Sequence, residues 1–291
     1  EKTAPGSTFK MVSAVAGLTE GVINGNTTFY CDGTFTEVTP SPRCWIYPSG
    51  HGALNVVGGI QNSCNEFFYN VGYSLGMDGS GNYDSEKGVE TLAKYASMFG
   101  LSETSGVEIP ESEPEISDEY AVQSAIGQGT NNFTVSQLNR YVTAVANSGT
   151  VYDLTLIDKT TDSNGNLIKD YQAEVISTMD EIDSSTWDMV HQGMQRMVDS
   201  SATFAGLDFD MAGKTGTAQQ SAVHADHALF VGYAPADSPE ISIAVRMAYG
   251  YSSSYAAEIG RDIAKIYFDP DSAEDLITGS AGELGSALAG D

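Results

Sequence analysis

The chain has 291 residues and carries 13 lysine and arginine residues against 39 acidic residues, a formal charge of −26 at pH 7. Recognition of nucleic acid or of an anionic lipid surface requires clustered positive charge, so this composition excludes both kinds of partner. With 41% apolar and only 18% charged residues, the composition is that of a folded globular protein with a sizeable core.

Helical periodicity dominates the first two thirds of the chain. Ala4-Pro5-Gly6-Ser7 is a suitable helix entry before an apolar run from Phe9 to Leu18, which places Ser7 at or near a helix N-terminus. Glycine, threonine, proline and asparagine between residues 24 and 62 are typical of short strands and loops. The apolar period predicts further helices over residues 57–76, 86–99, 134–147 and 186–198.

Strand signals dominate the last third. The Asn-Gly pair within Asp162 to Asn166 favours a tight hairpin turn. Alternating apolar residues predict three consecutive antiparallel strands and a final amphipathic helix, over residues 211–219, 227–234, 240–248 and 255–268. The predicted fold is therefore α+β, with a central antiparallel sheet flanked by helices and an inserted all-helical lobe.

Ser7-Thr8-Phe9-Lys10 places a serine and a lysine three residues apart at the start of the first predicted helix. Residues at this spacing share a helix face, so Lys10 can reach the Ser7 hydroxyl. A serine hydroxyl is a poor nucleophile until a base removes its proton, and lysine serves as that base only when its surroundings lower its pKa. Alone the pair is a weak signal, because the same spacing occurs by chance in exposed helix turns.

Two later motifs supply what that pair lacks. Ser63-Cys64-Asn65 offers a hydroxyl that can relay a proton and an amide that can hold a substrate carbonyl or orient Lys10. Lys214-Thr215-Gly216-Thr217 lies on a predicted strand, where the glycine leaves room for a substrate backbone to pair with the strand edge. Each motif taken singly is more often structural than functional.

In this order, Ser-x-x-Lys, Ser-x-Asn and Lys-Thr-Gly are the signature of penicillin-recognising serine acyl-transferases. The sequence resembles the transpeptidase domain of class B penicillin-binding proteins over nearly its whole length. The resemblance rests on six segments, namely Pro5-Gly6-Ser7-Thr8-Phe9-Lys10, Ser63-Cys64-Asn65-Glu66-Phe67-Phe68-Tyr69, Ile126-Gly127-Gln128-Gly129, Ala146-Asn147-Ser148-Gly149, Ala212-Gly213-Lys214-Thr215-Gly216-Thr217-Ala218-Gln219 and Phe230-Val231-Gly232-Tyr233-Ala234-Pro235. Chance agreement across all six is not credible.

The resemblance implies a fold of the serine β-lactamase and D,D-peptidase type and a D,D-transpeptidase activity that cross-links peptidoglycan. It implies that Ser7 is the nucleophile, Lys10 the base for acylation and Ser63 the proton shuttle to the leaving amine. The catalytic set that it implies is Ser7, Lys10, Ser63, Asn65 and Lys214.

The resemblance also implies how an acyl donor is held. Lys214, Thr215 and Thr217, with Gly216 between the threonines, would bind the terminal carboxylate of a stem peptide or of a β-lactam. The backbone N–H groups of Ser7 and Thr217 would form the oxyanion hole.

The alternatives to a transpeptidase are a serine β-lactamase or β-lactam sensor, and a catalytically silent scaffold in a wall-synthesis complex. Deacylation distinguishes a β-lactamase from a transpeptidase, because a hydrolase needs a base such as a glutamate to activate water on the acyl-enzyme. No segment of this sequence resembles the glutamate-bearing loop of class A β-lactamases.

Cys31, Cys44 and Cys64 are the three cysteines of the chain, and His51 lies between the second and the third. The spacing Cys-x12-Cys-x6-His-x12-Cys would complete a Cys3His set of the kind that structural zinc prefers. It is not a compact zinc-finger spacing, so the residues alone leave open free buried thiols, or one disulfide with a spare thiol. The resemblance favours zinc, because some elongation-type class B enzymes bind it in this stretch, and leaves open whether Asp32 replaces Cys31.

We therefore predict a structural zinc ion and no organic cofactor. Cys64 lies between Ser63 and Asn65, so a metal bound there would fix the backbone that presents both side chains.

The resemblance also predicts the setting of the protein. Class B members have a membrane anchor, a pedestal domain and opening strands before the nucleophile, whereas this chain begins six residues before Ser7. We expect residues 1–270 to form a transpeptidase domain without its N-terminal strands and residues 271–291 to form a flexible tail. The expected location is the extracytoplasmic face of the bacterial membrane, with anchoring by a segment absent from this chain. Expected partners are peptidoglycan stem peptides, β-lactams and other wall-synthesis membrane proteins.

Overall fold

The computed structural model describes residues 1–218 and 224–276 and confirms the α+β class. Among these residues the helices are α1 (Lys10–Thr19), α2 (Val56–Gln61), α3 (Asn65–Leu75), α4 (Ser85–Met98), α5 (Ala121–Ser124), α6 (Val135–Ala146), α7 (Ser184–Asp199), α8 (Ser253–Phe268) and α9 (Ala273–Leu276). The strands are β1 (Phe29–Cys31), β2 (Gly52–Leu54), β3 (Thr150–Asp153), β4 (Lys159–Thr161), β5 (Leu167–Asp170), β6 (Glu174–Thr178), β7 (Ala212–Ala218), β8 (His227–Ala234) and β9 (Ile241–Met247).

Strands β7, β8 and β9 form the antiparallel sheet that the alternating period predicts, although the predicted end of the first strand, Gln219, lies outside the described residues. The middle strand β8 is buried along its whole length, because helices cover both faces of the sheet. On one face Val231 joins the larger core with α6 and α7. On the other face the Phe230 ring packs against α8, where Gly260 leaves room for it. The sheet is thus held from both sides.

Helix α1 passes through the larger core, as its continuous apolar sequence predicts. Every residue from Lys10 to Gly17 is buried, and a helix that is buried all round belongs to the centre of a core. Its buried Ser13 hydroxyl donates to the Ala125 carbonyl at 2.7 Å. The helix follows a 3-10 turn, Gly6–Phe9, that contains Ser7. The prediction of a helix beginning near Ser7 is confirmed.

The prediction of one helix over residues 57–76 was wrong, because the chain breaks between α2 and α3. Ser63 has φ +51°, a left-handed conformation that no helix interior contains. Asn62 closes α2, and the Cys64 Sγ caps α3 by accepting the Phe67 N–H at 3.4 Å. Both helices bury apolar residues in the same core, so the apolar period continues across the break and hides it.

The region between α1 and α7 contains helices α2 to α6 and, in addition, three two-stranded antiparallel pairs, β1 with β2, β3 with β6 and β4 with β5. The predicted hairpin is confirmed: Asp162 accepts the N–H groups of Asn164 and Asn166 in the turn that joins β4 to β5. The pairing of β3 with β6 was not predicted. Every residue of β6 is exposed, so its sequence carries no alternation of buried and exposed positions.

Within the described part of the chain, none of the helices combines the length and the apolar character needed to cross a membrane. Of the predicted tail, residues 271–276 are described and include α9, whereas residues 277–291 lie outside the described residues. The flexible tail therefore stays a prediction.

Candidate active site

The Ser7 turn is held by main-chain contacts on two sides. The Gly6 N–H donates to the Gly127 carbonyl at 3.1 Å, and Gly6 has φ +50°. A Cβ on Gly6 would lie 2.4 Å from the carbonyl oxygen of Thr217, and one on Gly127 would lie 2.1 Å from the carbonyl oxygen of Gly6. Only glycine permits such close approach. The half-buried Ser7 is therefore placed by the backbones of β7 and of the segment after α5.

We expect Gly6→Ala to lower the free energy of unfolding by at least about 3 kcal/mol, because it combines a left-handed backbone with a steric overlap that main-chain atoms cannot relieve. Gly21→Ala is the matched control: Gly21 has φ +70°, but nothing lies within 4 Å of a Cβ at that position. The free energy of unfolding of the control should fall by only about 1–2 kcal/mol, which is the cost of a left-handed backbone at a residue with a Cβ. Urea unfolding measures both, and equal losses in the two variants would disprove the proposed main-chain contact.

Lys10 lies one turn after Ser7 and is fully buried. Its Nζ donates to three acceptors on the α2–α3 break: the Ser63 carbonyl at 2.7 Å, the Asn65 Oδ1 at 2.7 Å and the Ser63 Oγ at 3.2 Å. The Phe68 ring centroid lies 5.6 Å from the same nitrogen. The structure thus brings together the first two motifs, although 53 residues separate Lys10 from Ser63.

The third motif lies on β7, which packs directly on the Ser7 turn. A Cβ on Gly216 would lie 2.8 Å from the Thr8 Cγ2 and 3.1 Å from the Pro5 carbonyl oxygen, so the strand could not come this close with a larger residue. The fully buried Lys214 donates from Nζ to the Thr215 carbonyl at 2.8 Å. Thr215 and Thr217 alternate with buried neighbours and are partly exposed. They are therefore the side chains of the motif that a ligand can reach.

A cavity of about 310 Å³ opens beside these residues. It is lined by Ser63 from the α2–α3 break, by Thr215 from β7 and by residues 252–254 at the start of α8. Among the described residues that line it, none has a charged side chain and many carry hydroxyl groups. Two of the predicted site residues therefore share one space that a small polar ligand can enter.

Trp45 lines the same cavity, although it belongs to none of the three motifs. Its indole Nε1 donates to the Ser63 carbonyl at 3.2 Å and to the Asn62 carbonyl at 3.3 Å. The available signal in the sequence was a tryptophan directly after Cys44 in a segment of polar and turn-forming residues. That pattern alone does not distinguish a site residue from a surface aromatic.

Cys31, Cys44, His51 and Cys64 form one compact cluster under the second motif. Pairing of β1 with β2 places Cys31 opposite Gly52, next to His51, while Cys64 caps α3. Their ligand atoms all lie within 4.8 Å of one another. The His51 Nδ1 is 3.5 Å from the Cys31 Sγ and 3.7 Å from the Cys44 Sγ, and the Cys44 and Cys64 sulfurs are 4.0 Å apart.

The three separations given for individual atom pairs are close to those around a tetrahedral zinc ion. Ligands that lie at roughly 2.0–2.3 Å from zinc are about 3.5–3.8 Å from each other, close to the observed distances. The three cysteines are free thiols, and all three are buried. The arrangement therefore matches the predicted Cys3His set better than a disulfide with a spare thiol.

Without a bound cation the three thiols of the cluster differ in pKa. Hydrogen bonding from the Cys64 thiol lowers the pKa of Cys44, and the backbone N–H groups of Glu66 and Ile46 act in the same direction. The pKa of Cys64 is raised mainly by the hydrogen bond that its thiol donates to Cys44 and, to a smaller extent, by burial. Burial also raises the pKa of Cys31. Without a cation only one thiolate is stabilised, whereas structural zinc binds all of its cysteine ligands as thiolates.

The alternative ligand Asp32 lies outside the cluster. It is exposed, and its Oδ1 accepts the Thr34 N–H at 3.1 Å, which forms a local turn. Cys31 is the residue that the structure places with the other three ligands.

Comparison with known proteins gives consistent results. Residues 1–265 match the family model described as the penicillin binding protein transpeptidase domain. Penicillin-binding protein 2A of Bacillus subtilis is 27% identical over 94% of this chain and 42% of its own length. The peptidoglycan D,D-transpeptidase MrdA of Haemophilus influenzae is 27% identical over 91% of this chain and 44% of its own length. The chain thus spans less than half the length of these relatives.

Among solved structures, Pseudomonas aeruginosa PBP2 superimposes with a TM-score of 0.76 and 28% identity, covering 91% of this chain and 61% of that one. A D,D-transpeptidase domain from Eggerthella lenta gives a TM-score of 0.80 at 21% identity, covering 93% and 66%. The second likeness is one of fold.

Proposed function

The chain belongs to the penicillin-binding protein transpeptidase family, and we propose that it is the catalytic part of a peptidoglycan D,D-transpeptidase. The resemblance to class B members had indicated the same family. The observation that carries the proposal is the buried Lys10, which is bonded to both polar side chains of the second motif while the third motif packs on the Ser7 turn. This is the constellation that a serine acyl-transferase needs.

In the proposed reaction, the Ser7 Oγ attacks the carbonyl carbon of the penultimate D-Ala of a stem pentapeptide as Lys10 accepts the hydroxyl proton. Ser63, within hydrogen-bond distance of Lys10, passes a proton to the leaving amine, and the C–N bond breaks. Terminal D-Ala departs and an ester to Ser7 remains. The amine of a second stem peptide then displaces Ser7, which forms the new peptide bond and restores the hydroxyl, so the kinetics are ping-pong.

The remaining site residues stabilise charge in this scheme. The backbone N–H groups of Ser7 and Thr217 would face the oxyanion, each typically contributing about 3 kcal/mol. Thr215 and Thr217 would bind the terminal carboxylate of the stem peptide, and the buried Lys214 on the same strand would supply positive charge. A β-lactam carries an equivalent carboxylate and acyl group, so it would form a stable ester with Ser7.

A labelled penicillin tests the proposal. We expect intact mass spectrometry to show one stable adduct in the wild type, none in Ser7→Ala, and a wild-type adduct in Ser41→Ala, a control at an exposed serine. Rapid turnover of the adduct would instead indicate a β-lactamase. Absence of an adduct in folded protein would indicate a scaffold, and either result would refute the transpeptidase.

The proposal includes a structural zinc ion held by Cys31, Cys44, His51 and Cys64. Their separations and burial support it. The ion would hold the α2–α3 break in place and take no part in the acyl transfer. Metal analysis of protein purified without chelator should give one zinc per chain, and a value near zero with fully reduced thiols would refute this part of the proposal.

Peptidoglycan lies outside the cytoplasmic membrane, so the proposed function places the enzyme at the extracytoplasmic face. Other membrane proteins of wall synthesis are its proposed partners. Lys214 puts positive charge beside Thr215 in a chain whose formal charge is −26, which suits a donor with a free carboxylate.

A further inference from the structure

We propose that Trp45 is a positioning residue for acylation, because its indole N–H fixes the Ser63 carbonyl that also binds Lys10. This inference rests on the proposed function. It assigns a role to a residue outside the three motifs and outside the Cys3His cluster.

The Ser63 carbonyl joins the two side chains. It accepts the Lys10 Nζ at 2.7 Å and the Trp45 Nε1 at 3.2 Å. A carbonyl oxygen has two lone pairs, so these two donors satisfy it. The orientation of this peptide therefore depends on Trp45 as well as on Lys10.

The Ser63 backbone needs such support. Its φ of +51° is unfavourable for a residue with a Cβ, and strained residues persist only where their surroundings hold them. The Trp45 Nε1 also contacts the Asn62 carbonyl at 3.3 Å, so one indole holds two successive carbonyls of the α2–α3 break. Loss of that donor would free the peptide that carries the Ser63 hydroxyl.

Trp45 is itself held from the opposite side. It follows Cys44 directly, and its ring meets the edge of the His51 ring at a centroid distance of 5.3 Å and an angle of 64°. At the same time the residue is 42% exposed and lines the cavity that Ser63 and Thr215 share. The indole thus lies between the Cys3His cluster and the space that a donor enters.

The test separates positioning from binding. Trp45→Phe keeps an aromatic ring but loses the indole N–H, so we expect the acylation rate constant at saturating labelled penicillin to fall about tenfold while the dissociation constant of the initial complex changes less than twofold. Tyr47→Phe is the matched control, since it removes one polar group from a 44% exposed ring in the same segment. The control should acylate like the wild type.

Three results would overturn the inference. One is an unchanged rate constant at saturation in Trp45→Phe. Another is a fall in the acylation rate constant of Trp45→Phe that matches the fraction of protein without bound zinc, because the effect would then come from the Cys3His cluster. The third is a loss confined to the dissociation constant. A wild type that forms no adduct would instead refute the proposed function.

Fluorescence provides a measurement that needs no substitution of Trp45. The chain has two tryptophans, and the other, Trp187, is 4% exposed and packs against Phe99 in the core. We expect acylation of the wild type to change the tryptophan emission, with no change in unacylated Ser7→Ala. An emission that stays constant while mass spectrometry shows complete acylation would contradict a Trp45 that lines the space occupied by the acyl group.

Discussion

Lys10→Met is expected to lower the rate of acylation of Ser7 by a labelled penicillin about 10³-fold, within the range that a general base contributes. The lysine is fully buried, and Nζ lies within 3.2 Å of both polar side chains of the second motif. Methionine is similarly long and flexible but cannot accept the Ser7 proton. Stopped-flow measurement of adduct formation gives the rate.

The matched control for this variant is Lys94→Met. Lys94 has a 59% exposed side chain and pairs with Glu20 at 3.0 Å, so its loss changes the net charge by the same amount without touching the site. We expect its acylation rate to stay within about twofold of wild type, since exposed ion pairs contribute little. In Lys10→Arg the guanidinium stays protonated and cannot accept the Ser7 proton, so acylation by that variant at the wild-type rate would contradict the role of Lys10 as a base.

Cys64→Ser is expected to abolish stoichiometric zinc binding and to slow acylation at least tenfold. Serine removes the metal ligand but preserves a helix cap, because a hydroxyl can accept the Phe67 N–H as the Cys64 Sγ does. When the zinc concentration is a thousand times the dissociation constant of the wild type, the variant should have a free energy of unfolding about 4 kcal/mol lower than that of the wild type, because it no longer binds the ion. Metal analysis, urea unfolding and adduct formation measure the three effects.

A chelator supplies the control for this prediction. Chelation should make the wild type as unstable as Cys64→Ser, and it should leave the variant itself unchanged. Added zinc should restore both stability and acylation of the wild type. Wild-type acylation that continues at full rate in metal-free protein would show that the α2–α3 break holds its geometry without the ion.

The three motifs, through the family resemblance, predicted the catalytic set, and the cysteine and histidine spacing with the same resemblance predicted the Cys3His set; the catalytic and ligand roles stay predictions. The i, i+3 spacing of Ser7 and Lys10 on one helix face follows from backbone geometry alone. The β7 to β9 sheet was predictable for a similar reason, since alternation is directly visible in a sequence.

Features that depend on long-range contacts were not predictable. Lys10 bonds to Ser63 across 53 residues, and nothing in the local sequence shows that the Ser63 peptide would adopt a left-handed φ to receive it. The choice between Cys31 and Asp32 likewise depends on the register of β1 with β2, which directs one side chain into the cluster and leaves its neighbour exposed.

The close packing of the Ser7 turn has a consequence for how this protein can vary. The turn is positioned by main-chain atoms of Gly6, Gly127 and Thr217, which substitutions at other positions leave chemically the same. Under the proposed function, variation in the acyl donors that the protein accepts would therefore arise from side chains that line the cavity, such as Thr215. The position of the Ser7 turn and the lining of the cavity thus depend on separate sets of atoms, and substitution can alter the second while the first stays constant.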